Sequence, residues 1–171
     1  GAVTMNAGAY GGEMKDILSK VTVLTDDGEI QTLDVSEMDL SYRHSCVPEN
    51  HYIVLEAEIV LERKPEAEIR EQMEELRKKR VEKQPLEYPS AGSTFKRPEG
   101  YFAGKIIMDA GLRGYQVGGA QISEKHCGFV INKGNATASD VLRLIEDVRN
   151  RVYEQFGVNL EPEVKFLGNF K

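Results

Sequence analysis

The chain has no long apolar run. Nothing in its 171 residues approaches the roughly eighteen consecutive apolar residues of a membrane span, and no charged-then-apolar signal segment opens it. Cysteine is scarce: Cys46 and Cys127 are the whole set. Two free thiols in a reducing compartment is the expectation; the count allows one disulfide, but the spacing does not ask for it. An excess of positive charge is also lacking. The formal net charge of −6 argues against sequence-blind nucleic-acid binding, though not against a small anionic substrate held by a local cluster of cations. His44, Cys46, His126 and Cys127 could be imagined as a metal quartet. Within each pair one residue or none intervenes, unlike the usual zinc spacings, so no metal site is expected. No GxGxxG opens a helix after a strand, and neither a GxxxxGK[ST] loop nor a GxSxG elbow occurs.

What is present fits a globular protein, 40% hydrophobic and 29% charged, long enough for one large domain or two small lobes. Val21–Leu24 and Glu29–Val35 are β-rich, and Asp26-Asp27-Gly28 between them is a hairpin signal. Residues 52–63 alternate, with Ile53, Leu55, Ala57, Ile59 and Leu61 expected on one half-buried face. These three strands predict an antiparallel sheet. From Pro65 to Lys83, Ile69, Met73 and Leu76 recur at helical spacing among charges three or four apart, which predicts a solvated helix.

A short helix is expected from Tyr101 to Ala110, closed by Gly111. Tyr115–Ser123 reads as one strand interrupted by Gly118-Gly119, as at a bulge or a close backbone approach. Cys127–Asn132 is another strand. Thr137–Phe156 is the clearest helix: Val141, Leu144, Ile145, Val148, Val152 and Phe156 form one stripe, Thr137 or Ser139 can cap it, and Gly157 ends it. Glu163–Leu167 reads as a final strand. The pattern is α+β.

Three polar clusters remain: Tyr42-Arg43-His44-Ser45, Ser90-Ala91-Gly92-Ser93-Thr94-Phe95-Lys96-Arg97-Pro98, and Leu160-Glu161-Pro162-Glu163-Val164. Taken singly, each has an ordinary reading. Arg43 could be a surface ion-pair member, Ser93 a turn former, and Glu163 a solvent-facing strand residue.

Together, these clusters and their order resemble the UDP-N-acetylenolpyruvoylglucosamine reductase family. The resemblance extends over Gly1–Glu13 (GAVTMNAGAYGGE), Ala110–Tyr115 (AGLRGY) and Gly118–Ser123 (GGAQIS), from Gly1 to about Gly168. It implies a flavoenzyme that makes UDP-N-acetylmuramate for peptidoglycan in the cytoplasm, reducing UDP-N-acetylglucosamine enolpyruvate with FAD as cofactor and NADPH as hydride donor. Residue by residue, it implies catalytic roles for Arg43 (Tyr-Arg-x-Ser), Ser93 (Gly-Ser-x-Phe-Lys) and Glu163, the acid directly before Val. It implies cofactor contacts from Met5, Asn6, Ala7, Gly8, Ala9, Tyr10, Gly11 and Gly12, and substrate contacts from Tyr42, Lys96, Arg97 and His126. Many members carry Asn at the position of Arg97, and an ordinary structural hydrogen bond is the other reading of His126.

By the same resemblance, residues 1–82 complete an FAD-binding α+β lobe and residues 83–171 form a small α+β substrate-binding lobe, the last few residues returning toward a lobe not contained here. Fifty positions separate Arg43 from Ser93, as in the family's shorter-linked subtype. The chain opens without Met on a Gly/Ala-rich loop, where the family carries an earlier lobe with much of the flavin pyrophosphate site. A fragment, a processed chain or an isolated domain is therefore expected, and with it a second possibility: a UDP-sugar-binding module without catalysis.

Overall fold

The structure, a computed structural model, describes residues 1–169. They form two compact units, Gly1–Met73 and the unit beginning at Glu74. Among the described residues no helix is long and apolar enough to cross a membrane, and no group of three or more His, Cys, Asp or Glu could hold a metal ion.

In the first unit, residues 1–7 wind through turns into a two-rung hairpin, β1 (Gly8–Ala9) and β2 (Gly12–Glu13). Next, β3 (Leu18–Leu24) and β4 (Ile30–Asp34) make the expected antiparallel hairpin, with Gly28 at φ 83° in its turn. One turn of helix, α1 (Cys46–Glu49), precedes β5 (Ile53–Ile59), which pairs antiparallel with the other side of β3. The sheet order is β4-β3-β5, and one face covers a core of Leu18, Val21, Val23, Met38, Cys46 and Val47. Burial is the leading influence on the Cys46 thiol and pushes it up. Cys46 and Cys127 are free and buried.

The single apolar face expected for residues 52–63 does not form. Val21 pairs with Ala57 but Val23 pairs with Val54, so Leu55 is an extra residue in a bulge. The bulge reverses the alternation: Val54 and Ala57 face the core, while Ile53 is 59% and Leu55 51% exposed. A second register shift lies between Leu18 and Lys20, and Ile59 and Leu61 are exposed too.

The boundary between the units falls inside α2 (Glu66–Lys83), which buries no residue. Ion pairs Arg70–Glu66, Arg77–Glu74 and Lys79–Glu75 run along it at three- and four-residue spacing, the solvated helix the charges predict.

The second unit is a four-stranded antiparallel sheet, order β6-β9-β8-β7, with two helices on one core. Its elements are β6 (Ser90–Ser93), α3 (Ala103–Asp109), β7 (Gln116–Val117), β8 (Ala120–Ile122), β9 (Phe129–Asn132) and α4 (Ala138–Phe156). In α4, Leu144, Ile145, Val148 and Val152 are buried against Ile106, Ile107, Ala120, Ile122 and Val130; Phe156, at the end of the stripe, stays exposed. Thr137 caps the helix reciprocally with Asp140, and Gly157 closes it at φ 67°.

Two expectations fail here. Gly118-Gly119 do not bulge one strand; they reverse the chain between β7 and β8, with Val117 paired to Ala120. Glu163–Leu167 is not a strand: among the described residues, the pairing of this segment is limited to one isolated bridge, Pro162 to Phe95, just before it.

Candidate functional site

In the first unit the Gly/Ala-rich hairpin and the Arg43 turn line one cavity. Tyr10 and Gly11 sit at the hairpin tip with φ 54° and 88°. At Gly11 and Gly12 a Cβ would meet open space, so bare backbone faces the cavity. The cavity is about 240 Å³ and includes Gly8, Ala9, Gly11, Gly12, Tyr42 and Arg43 in its wall. Glu13 also lines it, which the sequence reading missed. An acid directly after the Gly-Gly pair was the available signal.

Tyr42 and Arg43 form the tip of a tight turn. Ser41 N–H donates to the His44 carbonyl (3.3 Å), and His44 N–H to the Ser41 carbonyl (3.2 Å). Arg43 adopts φ 54°, and its guanidinium carbon lies 5.1 Å from the Tyr42 ring centre. Next to it, His44 Nε2 is 3.0 Å from Asp39 Oδ2. Ser45 is fully buried; its hydroxyl donates to the Thr4 carbonyl (2.6 Å) and accepts the Val47 N–H of α1 (3.3 Å). A planar cation beside uncovered glycine backbone suits an anionic, flat ligand.

In the second unit the SAGSTFKRP loop divides its neighbouring hydroxyls between the surface and the interior. Ser93 is exposed. Thr94 is buried, and its hydroxyl accepts the Val130 N–H at 3.0 Å. Phe95 enters the core. On its far side this segment joins the Glu163 segment: Glu163 N–H donates to the Thr94 carbonyl (2.8 Å), and Lys96 N–H to the Glu161 carbonyl (2.9 Å). The Ser93- and Glu163-bearing segments therefore run side by side in one unit. Lys96 Nζ binds Glu161 Oε1 at 2.5 Å, an anchor the sequence reading did not foresee. Gly92 has φ 91° and open space at its Cβ position, leaving the backbone before Ser93 uncovered. Arg97 stacks over Phe102 at 4.0 Å. The His126 Nδ1 accepts the Gly128 N–H at 3.0 Å, which puts the ring proton of the neutral form on Nε2. A Cβ on Gly104 would stand 3.1 Å from His126 Cε1, so α3 approaches the ring closely because that position is glycine.

Residues 84–167 match the family model described as UDP-N-acetylenolpyruvoylglucosamine reductase, C-terminal domain. A protein of that reductase name from Agathobacter rectalis is 71% identical over 170 residues, 99% of this chain and 54% of the relative. Another from Lachnoclostridium phytofermentans is 62% identical over 98% of this chain and 54% of the relative. A crystal structure of UDP-N-acetylenolpyruvylglucosamine reductase from Thermus caldophilus superposes with a TM-score of 0.82 at 40% identity, covering 95% of this chain and 58% of that one. The chain spans about half the length of the curated relatives it matches. On these matches, and on the antiparallel α+β fold they share, the chain belongs to the UDP-N-acetylenolpyruvoylglucosamine reductase family.

Proposed function

We propose that this chain supplies the catalytic groups of an NADPH-dependent flavoenzyme that reduces UDP-N-acetylglucosamine enolpyruvate to UDP-N-acetylmuramate, a cytoplasmic step of peptidoglycan precursor synthesis. The observation that carries the reading is the join between the Ser93 and Glu163 segments, made by the Thr94 carbonyl and the Glu163 N–H.

The residues present fit a flavin on one count: the open positions at Gly11 and Gly12 leave a backbone cradle that any side chain would fill. Backbone groups of residues 5–12 would hold it there, within a flavin-binding lobe assigned to residues 1–82. When bound, the flavin supplies a hydride, replenished by NADPH. The chain's own residues do the rest. The Arg43 guanidinium stabilises negative charge building on the substrate carbon that bears the carboxylate. Ser93 delivers a proton to that carbon; a hydroxyl is a weak acid, but a carbanionic centre is a strong base, so placement outweighs pKa. Glu163 orients or shares protons beside it. Tyr42, Lys96, Arg97 and His126 bind the substrate, the last three within the lobe assigned to residues 83–171. Lys96 is also paired with Glu161, which holds its ammonium in place.

In a chain of the relatives' full length, Ser93→Ala is expected to lower the reduction rate by about 10²–10⁴-fold. Near-normal turnover would end the serine assignment. For the 171-residue chain, a visible absorption spectrum with intact mass on the same sample reports whether flavin is retained. A second reading is UDP-sugar binding without catalysis. Calorimetric titration with a UDP-amino sugar tests it, and no heat with no change in melting counts against it.

A further inference from the structure

We infer that Asn6 is a positioning residue whose side-chain amide ties the Gly/Ala-rich hairpin to the base of the turn carrying Arg43. The inference rests on the reading of Arg43 as the group that stabilises anionic charge.

Asn6 lies in the loop assigned to the cofactor and in the wall of the cavity, yet it is only 1% exposed. Its amide is spent inside the protein. Nδ2 donates to Glu13 Oε2 (2.7 Å) and to the Ser41 carbonyl (3.0 Å), and Oδ1 accepts the Lys15 N–H (2.9 Å). Both amide hydrogens are used, so neither is left for a ligand. The three partners belong to β2, to the turn after it, and to a segment 35 residues away in sequence.

The Ser41 carbonyl is the informative partner. It also accepts the His44 N–H, the bond that closes the Tyr42-Arg43 turn. Its two lone pairs are thus shared between the turn and Asn6, so the direction of this carbonyl is set from the hairpin. The turn needs such support because Arg43 is a non-glycine residue at φ 54°, a conformation that persists only when its surroundings hold it. Asn6 itself is at φ 41°, where Asn is among the best-tolerated side chains. A second tie, from Ser45 Oγ to the Thr4 carbonyl, fixes the far side of the same turn.

Among residues of this size, an amide alone offers two donors and an acceptor in one plane. Asn6→Asp keeps the shape, removes both donors, and sets a carboxylate against Glu13 and the Ser41 carbonyl. Adding Glu13→Gln returns a donor between positions 6 and 13 but none to Ser41. The pair of variants therefore separates the hairpin from the Arg43 turn.

The test is backbone ¹⁵N relaxation on the 171-residue chain. In Asn6→Asp, order parameters at Tyr42, Arg43 and His44 are expected to fall from about 0.85 to below about 0.6, with Val21 and Val23 of β3 unchanged. In Asn6→Asp with Glu13→Gln, Gly8–Gly12 regain wild-type order while Tyr42–His44 stay loose. Wild-type order at Tyr42–His44 in the single variant overturns the inference. So does loss of order at Val21 and Val23, since Asn6 would then be holding the whole unit. Recovery of Tyr42–His44 in the double variant overturns it as well. No substrate or flavin is needed, so a failed Arg43 assignment, with Arg43→Ala retaining turnover in a full-length chain, is a separate result.

Discussion

Gly119→Ala tests how tightly the β7–β8 turn is seated on the loop that starts α4. A Cβ there would stand 2.2 Å from the Gly134 carbonyl oxygen and 2.4 Å from the Ala136 nitrogen. Both are backbone atoms and cannot swing aside as a side chain would. Ordinary van der Waals contact therefore requires loop 134–136 to retreat by about 1 Å. That retreat breaks the 3.1 Å bond from Ala136 N–H to Asn132 Oδ1, worth about 1 kcal/mol. Overpacking adds about 1–3 kcal/mol. The lower entropy of the unfolded alanine chain returns about 0.4–1 kcal/mol. The net loss is on the order of 2–3 kcal/mol, or about 10–20 °C in the melting of a unit this small. Differential scanning calorimetry of the 171-residue chain reads it. Gly134→Ala is the control, since its Cβ meets nothing within 4 Å; a change within about 1 kcal/mol, toward stabilisation, is expected. A Gly119→Ala protein melting within about 2 °C of its parent would refute the account, because no seating consistent with these distances tolerates the methyl group.

Thr137→Ala should lower stability by about 1 kcal/mol in denaturant unfolding, since it removes the hydroxyl that accepts the Asp140 N–H. Ile107→Ala, at a fully buried site, should cost about 2–5 kcal/mol in the same assay. Asp140 has its carboxyl lowered from 3.8 to about 2, first by the Thr137 N–H and hydroxyl and then by Arg143. Because the folded pKa is the depressed one, its stabilisation is complete above the ordinary value and is lost as pH falls through about 2. Asp140→Asn should therefore flatten the stability profile between about pH 4 and pH 2, and an unchanged acid limb would contradict the assignment.

Local chemistry was legible where one residue decides the geometry. The β3–β4 turn followed from Asp-Gly; of the two caps offered for α4, Thr137 and Ser139, Thr137 is the one used, and Gly157 ends the helix as expected. The β5 face was misread because alternation assumes unbroken register, and the Leu55 bulge depends on how β3 meets it. Gly118-Gly119 pointed to a bulge or a close backbone approach; the close approach is present, Gly119 against Gly134 and Ala136, but it occurs in a chain reversal that depends on those downstream residues. Val164 and Phe166 alternate like a strand, but among the described residues that stretch pairs only at Pro162. Arg43, Ser93 and Glu163 stood out through family resemblance rather than through their own spacing. The tether role of Asn6 lay beyond the sequence, since it appears only once Ser41, 35 positions away, folds beside it.

The alternation at Ser93 and Thr94 bears on which insertions and deletions this loop can survive. Two nearly identical hydroxyls stand next to each other, one facing outward and one committed to the Val130 N–H. Phe95, fixed in the core, sets which is which. With Phe95 held, a residue inserted between Thr94 and Phe95 would move Thr94 out of its buried place and leave the Val130 N–H without its acceptor. A segment composed like a tolerant surface turn is therefore closed to insertion at that point. Natural variation in it should run through substitution, with any gaps falling before Ser90 or after Pro98.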